Sequence, residues 1–365
     1  FFYRSRHYKR YRIKMKLLLI PLSYLFRLIV FIRNILYNKE LLNIKELSAK
    51  VISVGNIAAG GTGKTPLVEL IADYILERGK FVVIILRGYK REHDDIKVVE
   101  LGFDNAKGEL NSENFGDEGI ILFENLSKKN AKGLIIVGDD KTKTAKFSNS
   151  KFKPEIIIID DGFQHRKLYR DIDIVIINPH SDKHLLPAGN LREPLRNISR
   201  ADFIVINNKF EKNPPMINTK HKQKIICSYN FERFYNAKGE SLAQEQAETV
   251  AFCGVGEPDS FKTLLSELGI KVNDFIKFPD HHSFGIGDIE RIIDSFEKTK
   301  SKFILTTQKD FVRIKNSELV LKASGDNVYK RLLFNYPLYY AKIKMQIEKN
   351  SELLFNEIDN LLRFV

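Results

Sequence analysis

Between Leu17 and Ile32 every position is apolar except Ser23 and Arg27. These sixteen residues fall short of the ~20 that a spanning helix needs. At about 100° per residue, Lys16, Ser23, Arg27, Asn34 and Asn38 share one narrow stripe of the helical wheel, and the rest is apolar. Pro21 is tolerated near a helix start and would kink an interior. A broad apolar face, one polar stripe and basic flanks predict a helix lying in a membrane interface. The competing reading is a helix docked on the protein's own core. A secretory signal is disfavoured, because no A-x-A-like cleavage site follows.

From residue 51 the period changes. Short runs rich in β-branched residues predict strands at Val51–Gly55, Phe81–Leu86, Gly133–Val137, Glu155–Asp160, Asp171–Ile177 and Phe203–Asn207. Amphipathic stretches lie between them, Lys64–Arg78 being the clearest. Continuous apolar strands separated by helices indicate an α/β fold with a parallel sheet covered on both faces. A polar break with Pro214–Pro215 follows at 208–222. A second series then begins with Thr249–Cys253, a helix near Ser260–Leu268, and Phe303–Thr307. The flanking segments Lys224–Phe234 and Leu338–Gln346 alternate like exposed strands and are expected to pair as a two-stranded connector. The expected segmentation is a basic segment and interface helix (1–38), a larger α/β domain (39–222), a linker strand region (223–248), a smaller α/β domain (249–335), and a returning strand with a C-terminal helix (336–365).

Composition narrows the classes. With 365 residues, 43% hydrophobic and 26 Phe, the chain has material for more than one buried core. Two cysteines, Cys227 and Cys253, exclude a disulfide scaffold and a four-cysteine zinc site, and suit a reducing compartment. The net charge of +13 invites a nucleic-acid reading, but residues 1–14 hold six Lys/Arg and no acid. The remainder carries 53 basic against 46 acidic side chains and lacks aromatic RNA-binding or zinc-finger patterns, so nucleic acid is not the expected partner. Position 1 is Phe, and Met15 directly precedes the apolar helix; the expectation is that Met15 is the biological start.

The strongest chemical signal is VISVGNIAAGGTGKTP at 51–66, a strand running through a Gly-rich turn into a helix. Gly60, Gly61, Thr62 and Gly63 would turn backbone N–H groups toward a polyphosphate, with the helix dipole behind them. Lys64 would reach the β- and γ-phosphates, and the Thr65 hydroxyl would ligate Mg²⁺. The strict pattern wants Gly at 58, where this chain has Ala58. EIIIIDD at 155–161 supplies the acid at the end of a neighbouring strand, Asp160 or Asp161, with Asp160 assigned to the metal. The sheet is therefore expected to be of the P-loop NTPase type.

Two further clusters stay open at this stage. Asn208-Lys209-Phe210-Glu211 approaches the N-K-x-D element by which GTPases read guanine, but ends in Glu. FPDHHSF at 278–284 places His281 and His282 beside Asp280, as a hydrogen-bonded loop, a metal site, or a histidine that crosses a cleft to tune a carboxylate base.

Together the motifs resemble one family, the tetraacyldisaccharide 4′-kinases (lipid A 4′-kinases). The matching pieces are GNIAAGGTGKTP (55–66), LRGYKR (86–91), GDEG (116–119), DDGFQHRKL (160–168), LLPAGNLREPL (185–195), FCGVGEPDSF (252–261), FPDHHSF (278–284) and TTQKD (306–310). The resemblance implies ATP-dependent phosphorylation of the 4′-hydroxyl of a tetraacylated glucosamine disaccharide 1-phosphate, with Mg²⁺, by a peripheral enzyme on the cytoplasmic face of the inner membrane. It implies no nucleic-acid partner and no obligate protein partner. By motif, Asp117 takes the part of catalytic acid/base, paired with His281 or His282, with Glu118 beside it. Asp160, Asp161, Gln164 and His165 come from DDGFQH, and Arg192 and Glu193 from LREP. Two positions depart from the family's pattern: Gly119 stands where Pro is usual, and Lys141 where Arg is frequent. A point charge then replaces a bidentate fork. The rival readings are a P-loop GTPase acting as a metallochaperone or assembly factor, and a membrane-bound nucleotide-binding module without turnover.

Overall fold

The computed structural model describes residues 2–88, 95–102, 110–127, 132–179, 184–211, 223–242, 248–317, 320 and 327–365, with side chains from Leu18 onward. Tyr89, Lys90 and Arg91 of LRGYKR, Pro214–Pro215 of the polar break, and the side chains of Met15 and Lys16 lie outside these.

Twelve strands among the described residues form one sheet. They are β1 (Lys50–Asn56), β2 (Val82–Leu86), β3 (Lys97–Glu100), β4 (Gly133–Val137), β5 (Ile156–Asp160), β6 (Ile172–Ile177), β7 (Phe203–Asn207), β8 (Lys224–Tyr235), β9 (Glu248–Cys253), β10 (Lys271–Lys277), β11 (Phe303–Thr307) and β12 (Leu338–Lys349). Their spatial order is β10-β9-β11-β12-β8-β7-β6-β1-β5-β2-β4-β3. All neighbours are parallel except β8 with β12 and β3 with β4. The helices are α1 (Phe2–Asn38), α2 (Lys64–Leu76), α3 (Ser112–Leu126), α4 (Lys141–Phe152), α5 (Pro258–Glu267), α6 (Ile286–Thr299), α7 (Gln308–Lys315), α8 (Val328–Phe334) and α9 (Ser351–Leu362).

The strand alternation sorts the core onto two faces. Ile156 and Ile158 of β5 pack with Ile52, Ile84, α2, α3 and α9, while Ile157 and Ile159 pack with Val83, Ile85 and Ala145 of α4. All four isoleucines are buried, each contributing about 1.5–3 kcal/mol of transfer free energy. Their burial on both faces leaves Asp160 as the first polar residue, at the strand's C-terminal end, where parallel sheets carry their ligand crevices.

The expected connector strands do pair. β8 and β12 run antiparallel from Tyr235↔Tyr340 to Ile226↔Lys349. The start of β8 also pairs with β7, and the start of β12 with β11, so the ribbon continues the sheet from one half into the other. Two strands lay outside the sequence reading. β3 has four residues on the sheet's edge, and β10 buries one side chain, Ile276, beside a register shift. Neither presents enough apolar residues to leave a pattern.

Helix α1 is longer than the apolar run suggested. It continues through Arg33 and Asn34 to Asn38, with Pro21 inside it. Leu18–Asn38 spans 21 residues at a mean hydropathy of 1.7, which corrects the shorter count: by length and composition it could cross a membrane. Its docking is polar. Ser23 Oγ donates to the Leu185 carbonyl and accepts from Ala188 N–H, and Arg166 donates to the Asn34 carbonyl and Asn38. Val30 and Tyr37 are buried, whereas Leu18, Leu22, Leu25, Leu28, Ile29 and Ile32 face outward, from 75% exposed at Leu18 to 49% at Ile32.

Candidate active site

The Gly-rich turn leaves the buried end of β1 and enters α2 at Lys64. Gly60 and Gly63 have φ of 116° and 96°, in the left-handed region that favours glycine. A Cβ at Gly63 would stand 2.3 Å from Asn207 Nδ2 and 2.5 Å from Tyr229 Oη, so the backbone passes where no side chain fits. Thr62 is pinned twice: Asn56 Nδ2 donates to its hydroxyl at 2.9 Å and Asn207 Nδ2 to its carbonyl at 3.0 Å. Ala58, where the strict pattern has Gly, forms an antiparallel bridge to Leu191. Extended backbone accepts a Cβ, which is why the departure is tolerated.

Asp160 and Asp161 end β5 against this loop. Burial, partly countered by Lys64, pushes the Asp160 carboxyl up to about 6, and its Oδ1 is sealed from solvent without a hydrogen-bond partner. Asp161 stands at φ 53° inside a ring of cations. Lys64 Nζ is 3.5 Å from Oδ1, Arg192 Nη1 lies 2.8 Å from both carboxylate oxygens, and Lys141 Nζ donates to the Asp161 carbonyl at 2.6 Å. Burial opposes ionisation there, but Lys64, Lys141 and Arg192 outweigh it and hold Asp161 well below the usual carboxylate range. Lys141 is 6% exposed, its ammonium depressed mainly by burial, so the departure at this position keeps a buried cation in contact with Asp161.

Asp117 and Glu118 reach the same neighbourhood from α3. Gly116 breaks that helix with φ 68° and ψ 169°, so the two carboxylates open its second segment, where the helix dipole favours negative charge. Glu118 contributes to the elevation of Asp160, which places that carboxylate, next to Asp117 in the chain, within electrostatic range of Asp160. Both are met by cations from α7. Arg313 Nε donates to Asp117 Oδ2 at 2.6 Å, and Lys309 Nζ to Glu118 Oε1 at 2.6 Å. Despite its burial, Glu118 is drawn down to about 2 by Lys309.

The two histidines part company. His281, at φ 55°, has Nδ1 3.3 Å from Arg313 Nη2 and Nε2 3.5 Å from Lys309 Nζ. Burial and the Lys309 charge depress its basicity. His282 stacks on Phe278 with ring centroids 4.8 Å apart and has Nε2 2.8 Å from Asp288. The expected link between Asp117 and FPDHH therefore runs through the Arg313 guanidinium, and it reaches His281.

The remaining residues brace the site. Gln164 Nε2 donates to the Asn56 carbonyl at 2.8 Å, and His165 Nε2 lies 2.7 Å from Thr142 Oγ1. Glu193 is fully buried and accepts from Arg33, Asn34, Asn197 and Arg200, so it secures α1 while its neighbour Arg192 faces Asp161. Lys209, of the guanine-like element, is paired with Glu257. Sequence reasoning missed Lys309, Arg313, Asn207 and Tyr229. TTQKD carried Lys309 in plain view, but its partner lies 191 positions away.

Against known proteins, a family model described as LpxK, tetraacyldisaccharide-1-P 4'-kinase, matches residues 15–362. This chain belongs to that family. Among relatives named tetraacyldisaccharide 4'-kinase, the protein of Aquifex aeolicus is 35% identical over 88% of this chain and 98% of its own length. That of Koribacter versatilis is 33% identical over 94% and 98%. A crystal structure titled as the "apo" form of LpxK from Aquifex aeolicus in complex with ATP superposes with a TM-score of 0.73 at 31% identity. It covers 95% of this chain and 99% of the other, so the family's fold is that of the sheet described above.

Proposed function

We propose that the protein transfers the γ-phosphoryl group of ATP to the 4′-hydroxyl of a tetraacylated glucosamine disaccharide 1-phosphate. The observation that carries this reading is the placing of Lys64 against Asp161, with Glu118 of α3 in electrostatic range of Asp160 at the end of the same strand. The family's name and the ATP complex of a relative support these substrates. The glycine amides and Lys64 offset charge on the triphosphate. Asp117 accepts the proton as the sugar O–H bond breaks; the new O–P bond forms as the bond to ADP breaks, and ADP keeps that electron pair. A sugar hydroxyl loses its proton late, so a carboxylate within reach serves as its acceptor. Arg192 neutralises charge beside Asp161 and presents a guanidinium to phosphate oxygens.

Mg²⁺ fits the residues present. The sealed, unpartnered Oδ1 of Asp160 is the kind of hard oxygen donor the ion takes, and Thr65 would supply a hydroxyl. When bound, it neutralises the β- and γ-phosphate oxygens.

An acceptor with four acyl chains resides in a bilayer, and α1 turns its apolar face away from the body. We place the enzyme on the cytoplasmic face of the inner membrane, held through α1. The same reading treats 39–222 and 249–335 as two units joined by the β8–β12 ribbon.

The test is labelled ATP with a disaccharide 1-phosphate lipid, read as a bis-phosphorylated product. Asp117→Asn is expected to lose about 10²–10⁴-fold in turnover, the range for a general base, with ATP binding intact. Full turnover in that variant removes Asp117 from the mechanism; GTP preference without lipid product would favour the assembly-factor reading.

A further inference from the structure

We infer that Arg313 is a positioning residue for phosphoryl transfer, aligning the Asp117 carboxylate from the opposite half of the sheet and fixing His281 in the same contact. The inference rests on the reading of Asp117 as proton acceptor.

Arg313 is 8% exposed at its side chain and its guanidinium is engaged along every edge. Nη1 donates to the Gly254 carbonyl at 2.8 Å and to Asp310 Oδ1 at 2.9 Å. Asp310 is itself fully buried, and its Oδ2 accepts from Gly254 N–H and the Thr307 hydroxyl. Those contacts anchor the fork from behind, within α7 and the loop after β9. The two edges left point outward: Nε to Asp117 Oδ2 at 2.6 Å and Nη2 to His281 Nδ1 at 3.3 Å.

Three chemical consequences follow. A guanidinium only donates, so His281 Nδ1 faces it as an acceptor. The contact to Asp117 uses Oδ2 through one N–H, which leaves Oδ1 outside that contact to accept the hydroxyl proton. The rigid, planar fork sets the angle between carboxylate and imidazole, which a flexible ammonium does not. Asp117 sits where Gly116 interrupts α3, so local helix geometry alone does not fix its carboxylate. The proton acceptor is thus completed by a residue 196 positions along the chain.

Arg313→Ala, Arg313→Lys and Asp117→Asn in the full-length protein, assayed with ATP and the lipid acceptor, test this. Misplacing a catalytic group by an ångström costs about 10²-fold, so Arg313→Ala is expected to lose about that in kcat with KM for both substrates unchanged. Guanidinium chloride at low, non-denaturing concentration should restore part of that kcat and none of the Asp117→Asn loss. A fall in kcat that tracks a fall in Tm, without guanidinium recovery, gives Arg313 a structural role only and overturns the inference. Should Arg313→Ala not fold, Arg313→Lys decides: a drop in kcat at wild-type Tm supports positioning, and wild-type kcat overturns it. Full turnover in Asp117→Asn sinks the proton-acceptor reading and this inference together. Loss there with wild-type turnover in both Arg313 variants sinks this inference alone.

Discussion

Gly63 carries two constraints that a single methyl group would violate. Its φ of 96° strains any L side chain by about 1–2 kcal/mol, and a Cβ there collides with Asn207 and Tyr229. Gly63→Ala is therefore expected to weaken ATP binding by about tenfold or more, equivalent to about 1.4 kcal/mol, as measured by calorimetric titration. His165 makes a different kind of prediction. Burial and the Lys141 charge lower it from 6.5 to about 4, so the folded state holds the ring neutral while the unfolded chain takes up a proton. Stability should fall as pH drops from about 6.5 to about 4, and His165→Gln should flatten the Tm profile in that window. Residues of this kind differ in how readable they were. Lys64 and Asp160 follow from a local pattern of strand, turn and helix. Arg313 does not, because nothing within its own helix marks it; its meaning lies in Asp117, brought beside it only by the fold.

At the scale of elements, Arg192 and Glu193 show adjacent residues dividing two tasks. Arg192 meets Asp161 beside Lys64 of the Gly-rich loop, and Glu193 gathers Arg33, Asn34 and Arg200 to seat α1. Removing one member of a buried ion pair costs about 3–5 kcal/mol, so Glu193→Ala should lower Tm and loosen α1. Limited trypsin digestion reads this as faster cleavage at Lys39 and Lys45; unchanged digestion would show that other contacts hold the helix. The polar stripe of α1 was visible from spacing alone, but not that the body would take it. A polar seam and an apolar outer face invert the arrangement of a soluble surface helix. β5, four isoleucines ending in two acids, declared itself; β10, with one buried side chain, could not.

For the whole molecule, the sheet runs unbroken through the β8–β12 ribbon, which explains why two strand–helix series separated by a polar break share one surface. The sequence shows each series but not the register that joins them, since Tyr235 and Tyr340 lie more than a hundred positions apart and pair only after collapse. Removing residues 1–38 is expected to abolish co-flotation with phospholipid vesicles while leaving ATP binding in place. Retained flotation would assign membrane contact to another surface.

The outward apolar face of α1 has a kinetic corollary. An enzyme held at the bilayer by that face meets its acceptor by lateral diffusion, in two dimensions. Its rate should then follow the mole fraction of acceptor in the lipid phase and not its bulk concentration. Adding inert lipid at constant total acceptor should slow turnover by surface dilution, and a form lacking α1 should lose that dependence.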